Sequence, residues 1–244
     1  MPRKPIRHST DTSKSLSETL RGSDLVPLSA ELAEAALDGV LEDGALKDLP
    51  VVGSLLALWN TGRSVRDVLF TTKLMAFLAG VENVTPEDRA AVLTKIAKNP
   101  EAAGELLLLA LERMDSMEKP ELLARTFVLL AEGTITVSDF HALRVVIDMI
   151  NLADLPEVVK FYNYYTYCPD ELMSSLMQTK LCTISKGGIM DGAHRLYGPT
   201  AIGKLFLTRV MELTLNPQMF TPEVQARIDR EAAEASRTPP GSAP

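Results

Sequence analysis

The sequence predicts a mainly α-helical protein: a multi-helix bundle followed by a small winged-helix-like α+β unit, with disordered N- and C-terminal tails. Apolar side chains recur at helical spacing from Ser29 onward. Prolines, glycines and capping residues divide that pattern into short segments, as in a compact bundle. Short β-prone segments separated by glycines follow only after residue 155. Together these three observations predict the fold class.

The same punctuation predicts five segments along the chain. They are a disordered basic tail over residues 1–28, a helical bundle over 29–154, a winged-helix-like unit over 155–213, an appended helix over 214–236 and a disordered tail over 237–244. The first tail places Arg3, Lys4 and Arg7 among serines and threonines and lacks the apolar stretch of a secretory signal. The last tail contains Pro239-Pro240-Gly241.

Composition restricts the class of protein. A net charge of −7 over 244 residues argues against a protein coated in phosphate contacts, although it leaves room for a local basic patch. Two cysteines, Cys168 and Cys182, are too few for a disulfide scaffold, so we expect reduced, buried thiols and a cytoplasmic location. Their spacing from His194 matches no zinc pattern, and we therefore predict no metal and no cofactor.

The first helices of the bundle are predicted from caps and apolar spacing. Ser29 caps a helix that reaches Leu41, and Gly44 ends it. The next segment, Val51 to Ala79, is the most apolar of the chain, with Val65 and Leu69 among its apolar residues. We predict a central core helix there, which Gly62 could split.

Later helices of the bundle begin at stronger signals. Thr85 followed by Pro86 starts one, and Asn99 followed by Pro100 separates it from the next. Two more follow, one from Pro120 to a stop at Gly133 and one capped by Ser138 and ending near Asn151.

The C-terminal unit has a different texture. A helix from Pro169 to Met177 precedes two β-prone segments, which are followed by a second helix. The segments are Leu181 to Ser185 and His194 to Tyr197, separated by a hairpin turn at Lys186-Gly187-Gly188 and by Asp191-Gly192, and the second helix is Pro199 to Leu213. This order is the layout of a winged helix. A final helix starts at Thr221-Pro222.

Catalytic patterns are sparse. The three histidines are His8, His141 and His194, and neither His141 nor His194 accompanies a Gly-x-Ser-x-Gly nucleophile motif. No glycine loop of the phosphate-cradling kind is present in the sequence. We therefore predict that the protein is not an enzyme and infer no small-molecule substrate.

Four tyrosines form the most unusual run of the sequence: Tyr162, Tyr164, Tyr165 and Tyr167. Such rings anchor a protein partner or stack on bases. The simpler interpretation, which we prefer, is that the rings pack the seam between the bundle and the C-terminal unit. A seam and a partner surface can share the same rings.

Five basic residues give the stretch from Leu172 to Met211 a local charge of +4, against the single acid Asp191. They are Lys180, Lys186, Arg195, Lys204 and Arg209. Such a patch on a winged-helix-like unit is typical of nucleic-acid contact. However, Asp170 and Glu171 begin the helix that would enter a groove, and these acids would repel phosphates. Contact with a protein, or dimerisation, fits equally well.

The apolar segment 51–79 admits a second interpretation. A helix that carries Leu55, Leu58, Trp59 and Phe70 could insert into a membrane surface once released from the fold. The preferred interpretation is a core helix, because charged residues such as Arg66 interrupt the run well before the roughly 20 apolar residues of a span.

Several stretches resemble a group of uncharacterised bacterial and prophage helical proteins. These stretches are Leu49 to Gly53, Ser64 to Phe70, Lys73 to Leu78, Leu111 to Asp115, Lys119 to Ala124 with Phe127, Glu132 to Ile135, and Asp139-Phe140. The segment from Tyr197 to Phe206 is similar to the Tyr-x-x-Thr-x-x-Gly ending of winged-helix units. Over about residues 48–210 the layout also resembles the abortive-infection alpha proteins of phage defence. The resemblance implies an accessory role and carries no catalytic residue.

The sequence thus predicts a non-enzymatic bacterial or prophage accessory protein that acts by protein–protein interaction, for example in phage defence. A protein partner or self-association is expected. Two alternatives stay open: a winged-helix regulator that binds nucleic acid, and a membrane-acting helical effector led by residues 51–79.

Overall fold

The computed structural model describes residues 10–22, 25, 49–59, 64–164, 170–190 and 194–215. Helices dominate these residues, and a small two-stranded antiparallel sheet accompanies them, which confirms a mainly helical protein. The chain divides into two compact units, Met1–Asp148 and Met149–Pro244. The division precedes the boundary predicted after residue 154, since the 3₁₀ turn Leu152–Asp154 leads directly into the next helix.

Within the first unit the structure describes seven helices. They are α1 Thr10–Arg21, α2 Pro50–Trp59, α3 Val65–Gly80, α4 Pro86–Ile96, α5 Pro100–Arg113, α6 Lys119–Ala131 and α7 Val137–Met149. Helix α1 packs against α2, α4 and α5, and α3 packs against α5 and α6. The core of this unit lies between these helices.

Helix α1 corrects the prediction of a disordered tail over residues 1–28. Residues Thr10–Arg21 are helical, and Leu16 and Leu20 on α1 are fully buried. The other buried side chains of α1 are serines and threonines, which carry no apolar signal in the sequence. The prediction was wrong here because a face of small polar side chains can pack as closely as an apolar one.

The segment from Val51 to Ala79 forms two helices, a division that the sequence allowed at Gly62: α2 ends at Trp59 and α3 begins at Val65. Ser64 has an extended backbone, with φ −103° and ψ 157°, and caps a new helix. Its hydroxyl accepts from the amide of Asp67, and its own amide donates to the Asp67 carboxylate at 2.9 Å. This capping box stabilises a separate start for α3.

The other helix starts predicted on described residues of the first unit agree with the structure, with one shift. The Thr85 side chain caps α4 and the Asn99 side chain caps α5, each followed by a proline in the first turn. For α7 the cap is Thr136 and not Ser138. The Thr136 hydroxyl accepts from the amide of Asp139 at 3.1 Å, and the Thr136 amide donates to the Asp139 carboxylate at 2.9 Å.

The core of the first unit is mostly aliphatic, with a few phenylalanines. The rings of Phe77 on α3 and Phe127 on α6 meet edge to face, with centroids 5.9 Å apart. The fully buried aliphatic residues around them include Leu74, Leu78, Val92, Leu93, Leu107, Leu108, Leu123, Leu143, Val146 and Ile147. A Cβ at Gly80 would overlap the Ala124 side chain, so the small residue lets α3 and α6 approach closely.

The second unit contains short helices and a β-hairpin. After the 3₁₀ turn come α8 Leu155–Tyr164, α9 Asp170–Gln178, β1 Cys182–Met190, β2 His194–Pro199, α10 Ala201–Leu205 and a π-helical turn Phe206–Val210. The predicted helix Pro199 to Leu213 therefore begins after Thr200, which caps α10 through its side chain, and ends at Val210.

The hairpin turn predicted at Lys186-Gly187-Gly188 is wrong. These residues lie within β1, whose pairing with β2 shifts register there. Ile184 pairs with Tyr197 and Ile189 with Arg195, so β1 has more residues than β2 over this interval. Both glycines lie in this interval of shifted pairing, and glycine inside a strand is typical of such irregularities.

Some predictions fall outside the described residues. They are the helix from Ser29 to Leu41, the appended helix over 214–236 from residue 216 onward, the tails over 1–9 and 237–244, Cys168, Tyr165 and Tyr167, and the side chains of Leu58, Trp59, Tyr164, Lys186 and Arg195.

Candidate functional site

Tyr162 lies in the interior of the second unit and connects α8 to the residues on both sides of the β-hairpin. Its side chain is fully buried, its hydroxyl donates to the carbonyl oxygen of Leu181, and the amide of Thr200 donates to that hydroxyl at 3.3 Å. A Cβ at Gly203 would overlap the hydroxyl, so α10 closes directly over the ring. The ring and hydroxyl of Tyr162 are both used within the unit, as the preferred packing interpretation expects, so this side chain offers no exposed anchor to a partner.

Three of the five predicted basic residues have described side chains. Lys180 is exposed and has a positive φ of 59°, and its carbonyl oxygen accepts from the Thr200 hydroxyl at 2.6 Å. That bond places Lys180 at the start of α10, the helix that carries Lys204. Arg209 is exposed on the π-helical turn that follows. Lys180 and Lys204 are therefore close in the fold, at the hairpin base.

Two of the four residues named for the membrane alternative are core residues. Leu55 on α2 and Phe70 on α3 are each 5% exposed. The preferred interpretation, packing inside the bundle, agrees with this burial. Across the described parts of the chain, no helix combines the length and apolar character needed to cross a membrane.

The described residues that the sequence suggested for catalysis or metal binding, His141 and Cys182, lie on separate elements. His141 lies on α7 with its ring 5.6 Å from that of Phe140; burial, and secondarily the charge of Arg144, lowers its pKa. Cys182 is buried, and its thiol points to the carbonyl oxygen of Met173 at 3.7 Å. Over the described residues, no three His, Cys, Asp or Glu side chains group as metal ligands would.

Sequence reasoning missed a surface formed by α3 and α5. Arg66 on α3 pairs with Glu112 on α5, and the pair joins the two helices. Val65 and Leu69 flank Arg66 on α3 and are 78% and 48% exposed, and Leu109, one turn before Glu112, is 46% exposed. We call these five residues the α3–α5 surface.

Charges at the end of α5 border this surface. The Lys73 ammonium donates to the carbonyl oxygen of Met114, and burial lowers the Lys73 pKa, although Asp115 acts in the opposite direction. Lys119 is 1% exposed; its ammonium lies 2.7 Å from the Asp115 carboxylate and 3.1 Å from the Asp148 carbonyl oxygen. The hydrogen bond from Lys119 is the main cause of a lowered Asp115 pKa.

The sequence held one signal for the α3–α5 surface. Val65 and Leu69 are four residues apart and so lie on one helix face, while Phe70, Leu74 and Phe77 lie on another. The apolar residues of α3 thus cover more of its circumference than one core contact buries. Sequence reasoning assigned all of them to the core.

Comparisons of the chain with protein-family models, with curated proteins and with solved structures found no match. The functional proposal therefore depends on the arrangement of the residues themselves. Of the arrangements described above, the α3–α5 surface is the one that exposes apolar side chains around a positioned ion pair.

Proposed function

We propose that this protein is a non-enzymatic module that binds another protein through the α3–α5 surface. The observation that carries the proposal is the exposure of Val65, Leu69 and Leu109 around the Arg66–Glu112 pair. Grouped aliphatic side chains exposed to water mark interaction sites more often than scattered ones do. Arginine beside apolar side chains is typical of the central part of protein interfaces.

The charges of the surface favour a protein partner that offers a carboxylate. The Arg66 side chain is 48% exposed whereas that of Glu112 is 13% exposed, so the cation is the more accessible member of the pair. A partner with apolar side chains beside an aspartate or glutamate would complement this arrangement. A nucleic acid fits less well, since Glu112 and Asp115 would face its phosphates.

The biological setting is part of the same proposal. The stretches that resemble bacterial and prophage helical proteins include Ser64 to Phe70 and Leu111 to Asp115, which contain most of the α3–α5 surface. We therefore propose an accessory role in a bacterium or prophage, such as phage defence. The winged-helix interpretation of the second unit belongs to this proposal as well, supported by the order of α9, the two strands and α10.

The experiment compares two charge insertions of equal size. The pair Val65→Asp and Leu69→Asp places two carboxylates on the α3–α5 surface, while the pair Met149→Asp and Met177→Asp, on residues 48% and 37% exposed, is the matched control. Wild-type protein is used to capture partners from native cells, and the partner is then purified and its affinity measured by calorimetry.

We expect the double variant to lose at least tenfold in affinity for the purified partner and the control to bind as wild type does. Equal binding by all three proteins would place the contact elsewhere. Recovery of nucleic acid instead, with salt-sensitive binding lost on Lys186→Glu plus Arg195→Glu, would favour the nucleic-acid regulator. Leakage of liposomes abolished by Leu58→Asp would favour the membrane effector.

A further inference from the structure

Helix α1 buries mostly polar side chains against the first unit. Its buried residues are Thr12, Ser13, Leu16, Ser17, Thr19 and Leu20, of which only the two leucines are apolar. Helices of a bundle are normally held by a broad apolar stripe. Two buried leucines contribute on the order of 1.5–3 kcal/mol each, which is little for twelve ordered residues.

Two of the four buried hydroxyls of α1 donate to carbonyl oxygens within the helix itself. Ser17 donates to the carbonyl oxygen of Lys14 at 2.8 Å, and Thr19 donates to that of Ser15 at 2.9 Å. These bonds persist when the helix leaves the body of the unit. Buried hydroxyls that carry their own acceptors lower the cost of exposing α1, because these two donors keep their partners when the helix leaves.

The body of the unit presents a site shaped for a helix. A Cβ at Gly104 on α5 would overlap the carbonyl oxygen of Ser13, so the backbones of α1 and α5 touch there. The Thr19 hydroxyl accepts from the amide of Val51 in the first turn of α2 at 3.1 Å. The Ser54 hydroxyl on α2 donates to that of Ser15 at 2.6 Å.

A buried arginine receives the C-terminal end of α1. Arg89 on α4 is 1% exposed; its Nε donates to the carbonyl oxygen of Leu20 at 2.7 Å, and its Nη2 donates to that of Gly22 at 2.8 Å. Carbonyl groups at a helix C-terminus have no partner within the helix and carry partial negative charge. A cation at this position therefore binds the backbone at the end of a helix and does not depend on a particular side chain.

We propose that α1 is a releasable strap that occupies a helix-binding groove formed by α2, α4 and α5, and that the groove also accepts a helix of the same chemistry from a partner protein. The strap itself defines that chemistry: a small residue over Gly104, leucines three and seven residues later as in Leu16 and Leu20, and a helix C-terminus at Arg89. This site is separate from the α3–α5 surface, and its existence does not depend on the function proposed there.

The test uses the full-length protein and the strap sequence itself as the probe. A labelled peptide of residues 10–21 is held helical by a lactam between Lys14 and Glu18, two exposed side chains that already pair at 3.8 Å. A cross-link is needed because free helices this short are marginal in water. The control peptide carries Ser13→Leu, which is too large to sit over Gly104.

Two variants of the full chain complete the test. Leu16→Asp releases the strap by placing a carboxylate at a fully buried position of α1. Gly104→Ala fills the point of contact and also raises helix propensity within α5, so α5 itself is not weakened. We expect Leu16→Asp to bind the peptide at least tenfold more tightly than wild type does. Adding Gly104→Ala, or using the control peptide, should abolish binding.

Peptide binding that is no tighter to Leu16→Asp, or that is unchanged by Gly104→Ala, would overturn the proposal. Hydrogen exchange on the wild-type chain provides a readout that needs no variant. We expect the amides of α1 to exchange at least tenfold faster than those of α5, since a strap opens without global unfolding. Equal protection of the two helices would show a permanent attachment and would overturn the proposal even if Leu16→Asp failed to fold.

Discussion

Arg89 Nε donates to the carbonyl oxygen of Leu20 at 2.7 Å, so a buried cation on one helix caps the end of another that is distant in sequence. The same guanidinium donates to the Val84 carbonyl oxygen at 2.7 Å in the segment after α3. One side chain thereby joins three parts of the first unit. Its five donors, set in a planar fork, suit this role, which a lysine ammonium does not reproduce.

Arg89→Met is expected to lower the free energy of unfolding by about 2–4 kcal/mol, because hydrogen bonds from a charged donor contribute about 1.5–3 kcal/mol each. Urea unfolding followed by circular dichroism measures the loss. Arg89→Lys, which keeps the charge but not the fork, should be intermediate. A stability equal to wild type in Arg89→Met would show that the backbone carbonyls find water without cost.

The Tyr162 hydroxyl predicts a coupled pair of substitutions. Tyr162→Phe leaves the Leu181 carbonyl and the Thr200 amide without this partner, and should cost about 1–3 kcal/mol. Gly203→Ala should also destabilise the unit, because the new Cβ would overlap the hydroxyl.

The double variant should lose less than the sum of the two single losses, because removing the hydroxyl makes room for the Cβ. The relief is partial, since that Cβ would still lie 2.8 Å from the ring carbon that carries the hydroxyl. A double-mutant cycle measured by thermal unfolding gives the coupling energy. Strict additivity would mean that Gly203→Ala acts through something other than Tyr162.

Asp115 predicts how stability changes in acid. Hydrogen bonding to Lys119 lowers its pKa below the usual 3.8, so the unfolded chain binds the proton first as pH falls. The stabilisation is therefore complete above that usual value and is lost as pH falls through the lower folded pKa.

Asp115→Asn should reduce the acid dependence of the urea midpoint, measured between about pH 2 and pH 5. Because the Asp115 side chain is 73% exposed, solvent screening keeps the effect small. Glu105→Gln, at an exposed position of α5, is the control and should leave the dependence as in wild type. If the urea midpoint depended on pH in the same way in all three proteins, the Asp115–Lys119 hydrogen bond would make no contribution to stability in acid.

His141 predicts a second, milder pH effect. Burial, followed by the charge of Arg144, lowers its pKa from 6.5, so the folded state resists protonation. The stability contributed by neutral His141 is full above 6.5 and declines as pH falls from there toward the lowered pKa. In His141→Gln, thermal unfolding across this window should show a flatter dependence on pH. If the pH dependence of thermal unfolding were the same in His141→Gln as in wild type, other titrating groups would be its cause.

Local chemistry made much of the helical fold predictable. Thr85 was identified because a cap acts within three residues of itself and the proline after it suits the first turn of a helix. Asn99 was expected to end the preceding helix, and in the structure it also caps the next one. The same reasoning gave the helix before the hairpin and the position of β2. It missed Ser64 as a cap: Gly62 was named as a possible break, but the capping box of Ser64 and Asp67, present in the sequence, was not recognised.

The sequence by itself determined that this chain forms short, capped helices and where most of them begin, because caps, prolines and helical spacing act over a few residues. Only the tertiary structure decided which faces are covered. It buried the hydroxyl face of α1 and the guanidinium of Arg89, and it left Val65 and Leu69 exposed. The physical reason is that burial depends on which distant helix arrives to cover a face, and a polar face is covered when its hydrogen bonds are satisfied there.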